Sequence, residues 1–409
     1  MSHSPRRRGV AAATVLLIAV LTTTACSGND GAGPTDASAA DSDNNSVSTT
    51  VFAPGVPTLQ DLYKGNDVLP PTTAPTPQPG KSIYWISCGQ QVPVCALKAE
   101  EGKKAVEAIG WDFHLVDGNL NIGGAYLQGI RTAIAANADA IVQDVQPCSS
   151  VQQADEEAKA AGVLLIGLES LDCDAEGGQK LFSVDYIYNS QASDIGTLWA
   201  LYGKQSAAYI INASQGKAKV INNPGNNPQQ VAFDKGFVDE LAKCSDCQIV
   251  DTVTWTNTDY VPNGPWIAKF RTSLVQHPEA TAVFMPFDEM PSSLGGAQAI
   301  REAGRQVCTG EPPFASDCII AVDGIGTDSV PDLISQGQWT ATAAAYDEPW
   351  VAWGVVDQLN RAFNGQESVS QGIGYRAIDS GQNLPAKGET YTSSLDWKSA
   401  YLKAWGVGG

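Results

Sequence analysis

Carboxylates, amides and aromatic rings recur in this chain where short apolar runs give way to polar loops. Gln90 and Gln91 follow SIYWIS, Glu169 and Ser170 follow VLLIGL, Trp255 and Tyr260 follow QIVDTVT, Phe287 and Asp288 follow TAVFMP, and Asp323 follows CIIAV. Carboxylates and amides exchange hydrogen bonds with hydroxyls, and aromatic faces cover the C–H surface of a ring. The set therefore suits holding a polar ring. Catalysis is poorly served, because G-x-S-x-G, G-x-x-x-x-G-K-[ST] and H-E-x-x-H are all absent. His3, His114 and His277 are the only histidines, too few for a histidine triad. Asp172 and Asp174 could serve glycoside hydrolysis only if something fixed their separation. The expectation is a binding protein with no catalytic group and no cofactor.

The elements that must position these residues alternate. SIYWIS, WDFHLVDG, DAIVQDV and VLLIGLE read as strands, separated by helical patterns such as CALKAEEGKKAVEAIG, where Gly110 marks the stop. After a helix through IGTLWALYGKQSA the cycle restarts with AKVINN, QIVDTVTW, TAVFMP and CIIAVDG as strands. Such alternation implies βαβ units and parallel sheets covered on both faces. In open α/β sheets ligands meet the loops at the carboxyl ends of strands, which is where the candidate residues fall. Two sets in one chain predict an α/β fold of two Rossmann-like lobes with a cleft between them. Asn222, Asn223, Asn226 and Asn227, beside Pro224 and Pro228, read first as turn formers.

The chain opens with Arg6, Arg7 and Arg8 and an apolar segment from Val10 to Leu21. This is an export signal, shorter than the ~20 residues that span a bilayer. LTTTAC then resembles the bacterial lipoprotein signal, with Ala25 before a cysteine that is lipidated and Thr23 where that signal usually has Leu. Residues 1–25 are read as the signal peptide, by the general or the twin-arginine route, and Cys26 as the lipidated N-terminus. Residues 26–80, rich in Ser, Thr, Asp and Pro, read as a disordered tether, although VFAPGVPTLQDLY could dock on the body. Eight cysteines remain and fall into Cys88 with Cys95, Cys244 with Cys247, Cys308 with Cys318, and Cys148 with Cys173. Disulfides persist outside the cytosol. CSDC has no second CxxC and no histidines to complete a zinc site, so no metal is expected. Without residues 1–25 the chain carries 22 basic against 44 acidic side chains. Such a surface repels nucleic acid and anionic lipid headgroups.

The order of elements, with YWISCGQQVPVCALKAEEGKKAVEAIGW (84–111), FMPFDEMPSSLGGAQAIREAG (284–304) and AVDGIG (321–326), resembles the type I periplasmic binding proteins. Within them it is similar to the ribose- and galactose-type sugar-binding components of ABC transporters, from about Lys81 to the end. The resemblance implies three crossings between discontinuous lobes, near Val184, Ala345 and Arg376. The lobes are then 81–184 plus 346–375, and 185–345 plus 376–409. It places the family's carboxylate before the hinge on Glu169 and its neighbouring arginine on Ser170. The amide of the first loop falls on Gln90 or Gln91, followed by Pro93 and Val94 where the family has an aromatic pair. The second arginine falls at Phe233, the aromatic of the second lobe near Tyr260 with Trp255 as rival, and the asparagine on Phe287. Asp288 and Asp323 keep the family's acids, and the hinge glutamine falls on Ala345 beside Tyr346. Both arginines are replaced, which argues against a pentose held as in ribose-type members.

The resemblance thus implies a monomeric, lipid-anchored protein on the outer face of a bacterial cytoplasmic membrane, handing a sugar-like ligand to an ABC permease. The alternatives are a receptor that docks on a membrane signalling protein, or a non-sugar ring ligand such as a nucleoside or aromatic compound.

Overall fold

Buried parallel strands should read as nearly continuous apolar runs, and the central strands of this chain do, whereas the edge strands DFHLVD and QIVDT are more polar and partly to fully exposed. The structure is a computed structural model that describes residues 48–407, apart from 227, 257 and 328. After a short helix α1 (Leu59–Lys64) come β1 (Ser82–Ser87), α2 (Pro93–Ala108), β2 (Asp112–Asp117), α3 (Ala125–Ala135), β3 (Ala140–Asp144), α4 (Cys148–Ala160) and β4 (Leu164–Leu168). These strands form a parallel sheet in the order β2-β1-β3-β4. The chain continues through α5 (Ile195–Ala213), β5 (Lys219–Asn222), α6 (Pro228–Leu241), β6 (Gln248–Thr252), α7 (Pro265–Gln276), β7 (Ala282–Phe284), α8 (Gly296–Glu302), β8 (Ile320–Val322), α9 (Ser329–Ser335) and β9 (Ala341–Ala345). It closes with α10 (Glu348–Phe363), β10 (Arg376–Asp379) and α11 (Trp397–Trp405). The second sheet runs β10-β9-β8-β7-β5-β6, with only β10 antiparallel.

Local chemistry sets the helix starts. Asp194 caps α5, its carboxylate accepting Thr197 N–H at 2.8 Å in a capping box. Asp347 caps α10 through Trp350 N–H, with Pro349 in the first turn. Helices α5 and α6 meet through glycines: a Cβ on Gly203 would lie 2.1 Å from Phe233 O, and one on Gly236 2.0 Å from Ala200 O. The four expected disulfides are formed: Cys88–Cys95, Cys148–Cys173, Cys244–Cys247 and Cys308–Cys318.

Two expectations need correction. Residues 51–80 do not behave as a solvated tether. Leu59, Leu62 and Tyr63 of α1 are buried in the core, Tyr63 hydroxyl donates to Asp379, and Asn212 donates to Pro57 O at 2.8 Å. Beyond α1, Val68 N–H donates to Gly372 O and Arg376 pairs with Asp67 at 2.7 Å. The proline-rich stretch then lies along α10, where Arg361, Asn360 and Asn364 donate to the carbonyls of Thr73, Pro75 and Thr76. Trp111 Nε1 donates to Gln78 O at 2.6 Å. Carbonyls of a proline-rich stretch remain acceptors, and these ones are satisfied by protein side chains. Second, residues 376–409 do not all join the second lobe. β10 does, but α11 packs on α10, itself packed on α2 of the first lobe, through stacked Trp350–Trp397 and Trp353–Trp405 pairs. Residues 1–47, with the signal reading and Cys26, lie outside the described residues.

Candidate functional site

The carboxyl ends of the strands carry uncommon backbone. Val145 after β3, Glu169 after β4 and Asp323 after β8 have φ of 53°, 55° and 135°. Positive φ in residues with a Cβ costs energy and clusters where function constrains the chain.

At the end of the first sheet lies a buried ionic group. Lys98, from the inner face of α2, pairs with Asp144 at 2.7 Å and Glu169 at 2.6 Å. Tyr346, just past β9 where the chain leaves the second sheet, donates to the other Glu169 oxygen at 2.5 Å. Glu348 stands beside them at the start of α10, 1% exposed, with neither carboxylate oxygen hydrogen-bonded. Burial pulls the Lys98 ammonium down, but the fields of Asp144, Glu169 and Glu348 outweigh it and hold it well above the ordinary lysine range. Burial lifts Asp144 to about 6 against the pull of Lys98. Burial, followed by the charge of Glu169, holds Glu348 well above the carboxylate range.

At the end of the second sheet lie Asp288 and Asp323. Asp288 accepts Ile325 N–H at 2.8 Å, and Asp323 accepts Ala343 N–H at 3.1 Å. Each keeps one oxygen without a partner. Burial lifts Asp288 to about 7 and Asp323 to about 8.

Aromatic rings join the two ends. Tyr346 meets Tyr375 edge-on at 5.5 Å, Tyr375 meets Tyr202 at 5.8 Å, and Tyr202 meets Phe233 at 4.8 Å. Phe233 meets Phe287 at 5.5 Å, and Phe287 sits against Trp255 and Tyr260. Tyr260 hydroxyl donates to Glu289 at 2.8 Å.

Of the residues singled out in the sequence, the structure brings Glu169 to Tyr346, and Phe233, Phe287, Trp255 and Tyr260 into one ring cluster. Asp288 and Asp323 share their loops: a Cβ on Gly324, next to Asp323, would lie 2.9 Å from Asp288 Oδ1. Phe233 sits on a helix, stacked on Trp199 at 4.9 Å. Trp255 donates its indole N–H to Asn223 O at 3.1 Å. Ser170 ties two strand ends, donating to Gln143 O at 2.8 Å and accepting Gln146 N–H at 2.7 Å. Gln90 donates to Ser87 Oγ at 2.7 Å, while exposed Gln91 points to Asn119. Both amides are bonded away from the ionic group. Sequence reasoning missed Lys98, Asp144, Glu348, Tyr202 and Tyr375. The one available signal was a lysine three residues after buried Cys95 and four before buried Gly102, on the apolar face of its helix.

A family model described as a periplasmic binding protein domain matches residues 90–367. The chain belongs to the periplasmic binding protein domain family. Solved structures share its fold. The arabinose ABC transporter component from Shewanella sp. ANA-3, bound to alpha and beta-L-arabinofuranose, is 19% identical with TM-score 0.56, over 73% of this chain and 91% of that one. A Mycobacterium smegmatis protein in complex with beta-D-fucofuranose is 19% identical with TM-score 0.55, over 74% and 92%. An ABC transporter solute binding protein from the same organism, with bound glycerol, is 17% identical with TM-score 0.56, over 78% and 100%. No curated protein matches the chain. Among the described residues, no helix is long and apolar enough to cross a membrane.

Proposed function

We propose that this protein is an extracytoplasmic solute-binding lipoprotein that captures a sugar or sugar-like solute between its lobes and delivers it to an ABC permease. The observation that carries the reading is the meeting of buried carboxylates and aromatic rings at the carboxyl ends of both parallel sheets, joined across the chain crossover by the Tyr346–Glu169 bond. Family membership and the arabinofuranose, fucofuranose and glycerol named for structures of this fold support it. Glu169, Asp288 and Asp323 accept hydroxyl protons, and Phe287, Trp255 and Tyr260 cover the ring. Binding stabilises a closed form by its higher affinity for that form, and the permease reads the closed form. Cys26 anchors the chain to the outer face of the membrane.

The test is a thermal-shift screen of the full mature chain against neutral sugars and polyols, repeated with Asp323→Asn. A ligand at about 100 times its Kd stabilises by about 2.7 kcal/mol. A shift lost in the variant supports the reading, and no response to any sugar or polyol, neutral or charged, contradicts it. In parallel, Cys26→Ala is expected to release the protein into the medium; undiminished membrane retention would refute the anchor.

A further inference from the structure

The balance of donors, acceptors and charge in the cleft bears on the charge of the ligand. Glu348 is buried with both oxygens unpartnered, and the hydroxyl beside it, Tyr346, already donates to Glu169. At the end of the second sheet, Asp323 Oδ2 is also without a partner. The hydroxyls nearest Asp323 are committed elsewhere, Ser206 to Tyr202 O and Tyr202 to Pro286 O and Gly324 O.

Charge follows the same pattern. Lys98 is held by Asp144 and Glu169, and among the described residues no arginine pairs with any of these carboxylates. The Tyr375 phenol feels Glu169 and Glu348 from one group and Asp323 from the other, so both acid groups flank this ring. The cation–ring contacts of the described residues lie elsewhere, Lys81 on Phe363 and Lys398 on Trp353 and Trp397. Among the described residues, the two strand-end groups therefore offer electron-rich rings and buried carboxylates with no cation beyond Lys98. A neutral sugar supplies hydroxyl donors but no charge to offset an ionised carboxylate. An ammonium group supplies donors and charge together, and ring faces attract it.

Resting on the solute-binding reading, we propose that the ligand carries a positive charge: a hydroxyl-bearing ring with an ammonium group, of the amino-sugar class, whose ammonium sits among Glu348, Asp323 and the Tyr375 ring. Uronic acids and other anionic sugars are excluded by the same carboxylates.

The experiment is calorimetric titration of the full mature chain at neutral pH with two matched trios: D-galactosamine, D-galactose and D-galacturonate, then D-glucosamine, D-glucose and D-glucuronate. The amino member of at least one trio is expected to bind at least about tenfold tighter than its neutral partner, with no binding of the acid. Glu348→Gln is expected to bring the amino and neutral sugars to similar affinity; equal weakening of both would mark Glu348 as merely structural and overturn its role. A neutral or acidic member binding as tightly as the amino one overturns the charge inference and leaves the solute reading standing. No binding in either trio, with a hit among the neutral sugars and polyols screened above, likewise overturns it. No hit in any of these screens overturns the solute reading beneath.

Discussion

Buried carboxyls in this chain hold their protons to unusually high pH. Asp144, Asp155, Asp288, Asp323 and Asp347 are lifted by burial to about 6, 7, 7, 8 and 6. An unfolded aspartate titrates near ~3.9, so the folded chain holds extra protons between that value and these. Stability present below the unfolded value is then lost as pH rises through the folded ones. Asp61, Glu101 and Asp259 are shifted downward and add stability, an effect complete by about pH 5. The melting temperature of the unliganded chain is therefore expected to fall between about pH 5 and pH 8, and Asp323→Asn to flatten the upper part of that fall. A flat or rising profile by thermal denaturation would count against the buried acids. Lys98→Met leaves Asp144 and Glu169 buried without their cation and should cost about 3–5 kcal/mol, read from urea unfolding. A loss no larger than that of an exposed ion pair would mean the three charges are solvated.

Elements place those residues, and they differ in how plainly the sequence announces them. The central strands were legible because burial on both faces demands continuous hydrophobicity, and the partly exposed edge strands β2 and β6 through their β-branched and aromatic residues between turn signals. β9, ATAAA, was not, since alanine favours helix and its extended state comes from pairing with β8 and β10. Glu169, Asp288 and Asp323 were legible because strand ends can be counted. Lys98 lay in mid-helix, and Tyr202 and Tyr375 join the ring chain between the two strand-end groups only through packing of α5 and the last crossing. At the α5–α6 contact, Gly203→Ala drives a methyl to 2.1 Å from Phe233 O. It is expected to destabilise by about 1–3 kcal/mol and to disturb the Phe233 ring; unchanged unfolding and unchanged ligand affinity would show that the helices can part.

For the molecule as a whole, residues 51–80 matter as much as the two sheets. This segment binds the second lobe through Tyr63 and Asp379, follows the last crossing at Gly372 and Tyr375, and ends on α10 of the first lobe. Composition concealed it: proline and threonine read as solvated, and the side chains that satisfy their carbonyls lie some 285 residues further along. A chain beginning at Lys81 is expected to melt lower than one beginning at Ser48; equal melting temperatures would restore the view of this stretch as a tether. In the proposed function one ligand is gripped by both lobes. Hydrogen–deuterium exchange of the full mature chain, with and without the strongest binder from the screens, tests it most directly. Added protection is expected at residues 144–150 and 169–171 of the first lobe together with 286–288 and 323–326 of the second. Protection confined to one lobe, or to neither, would contradict it.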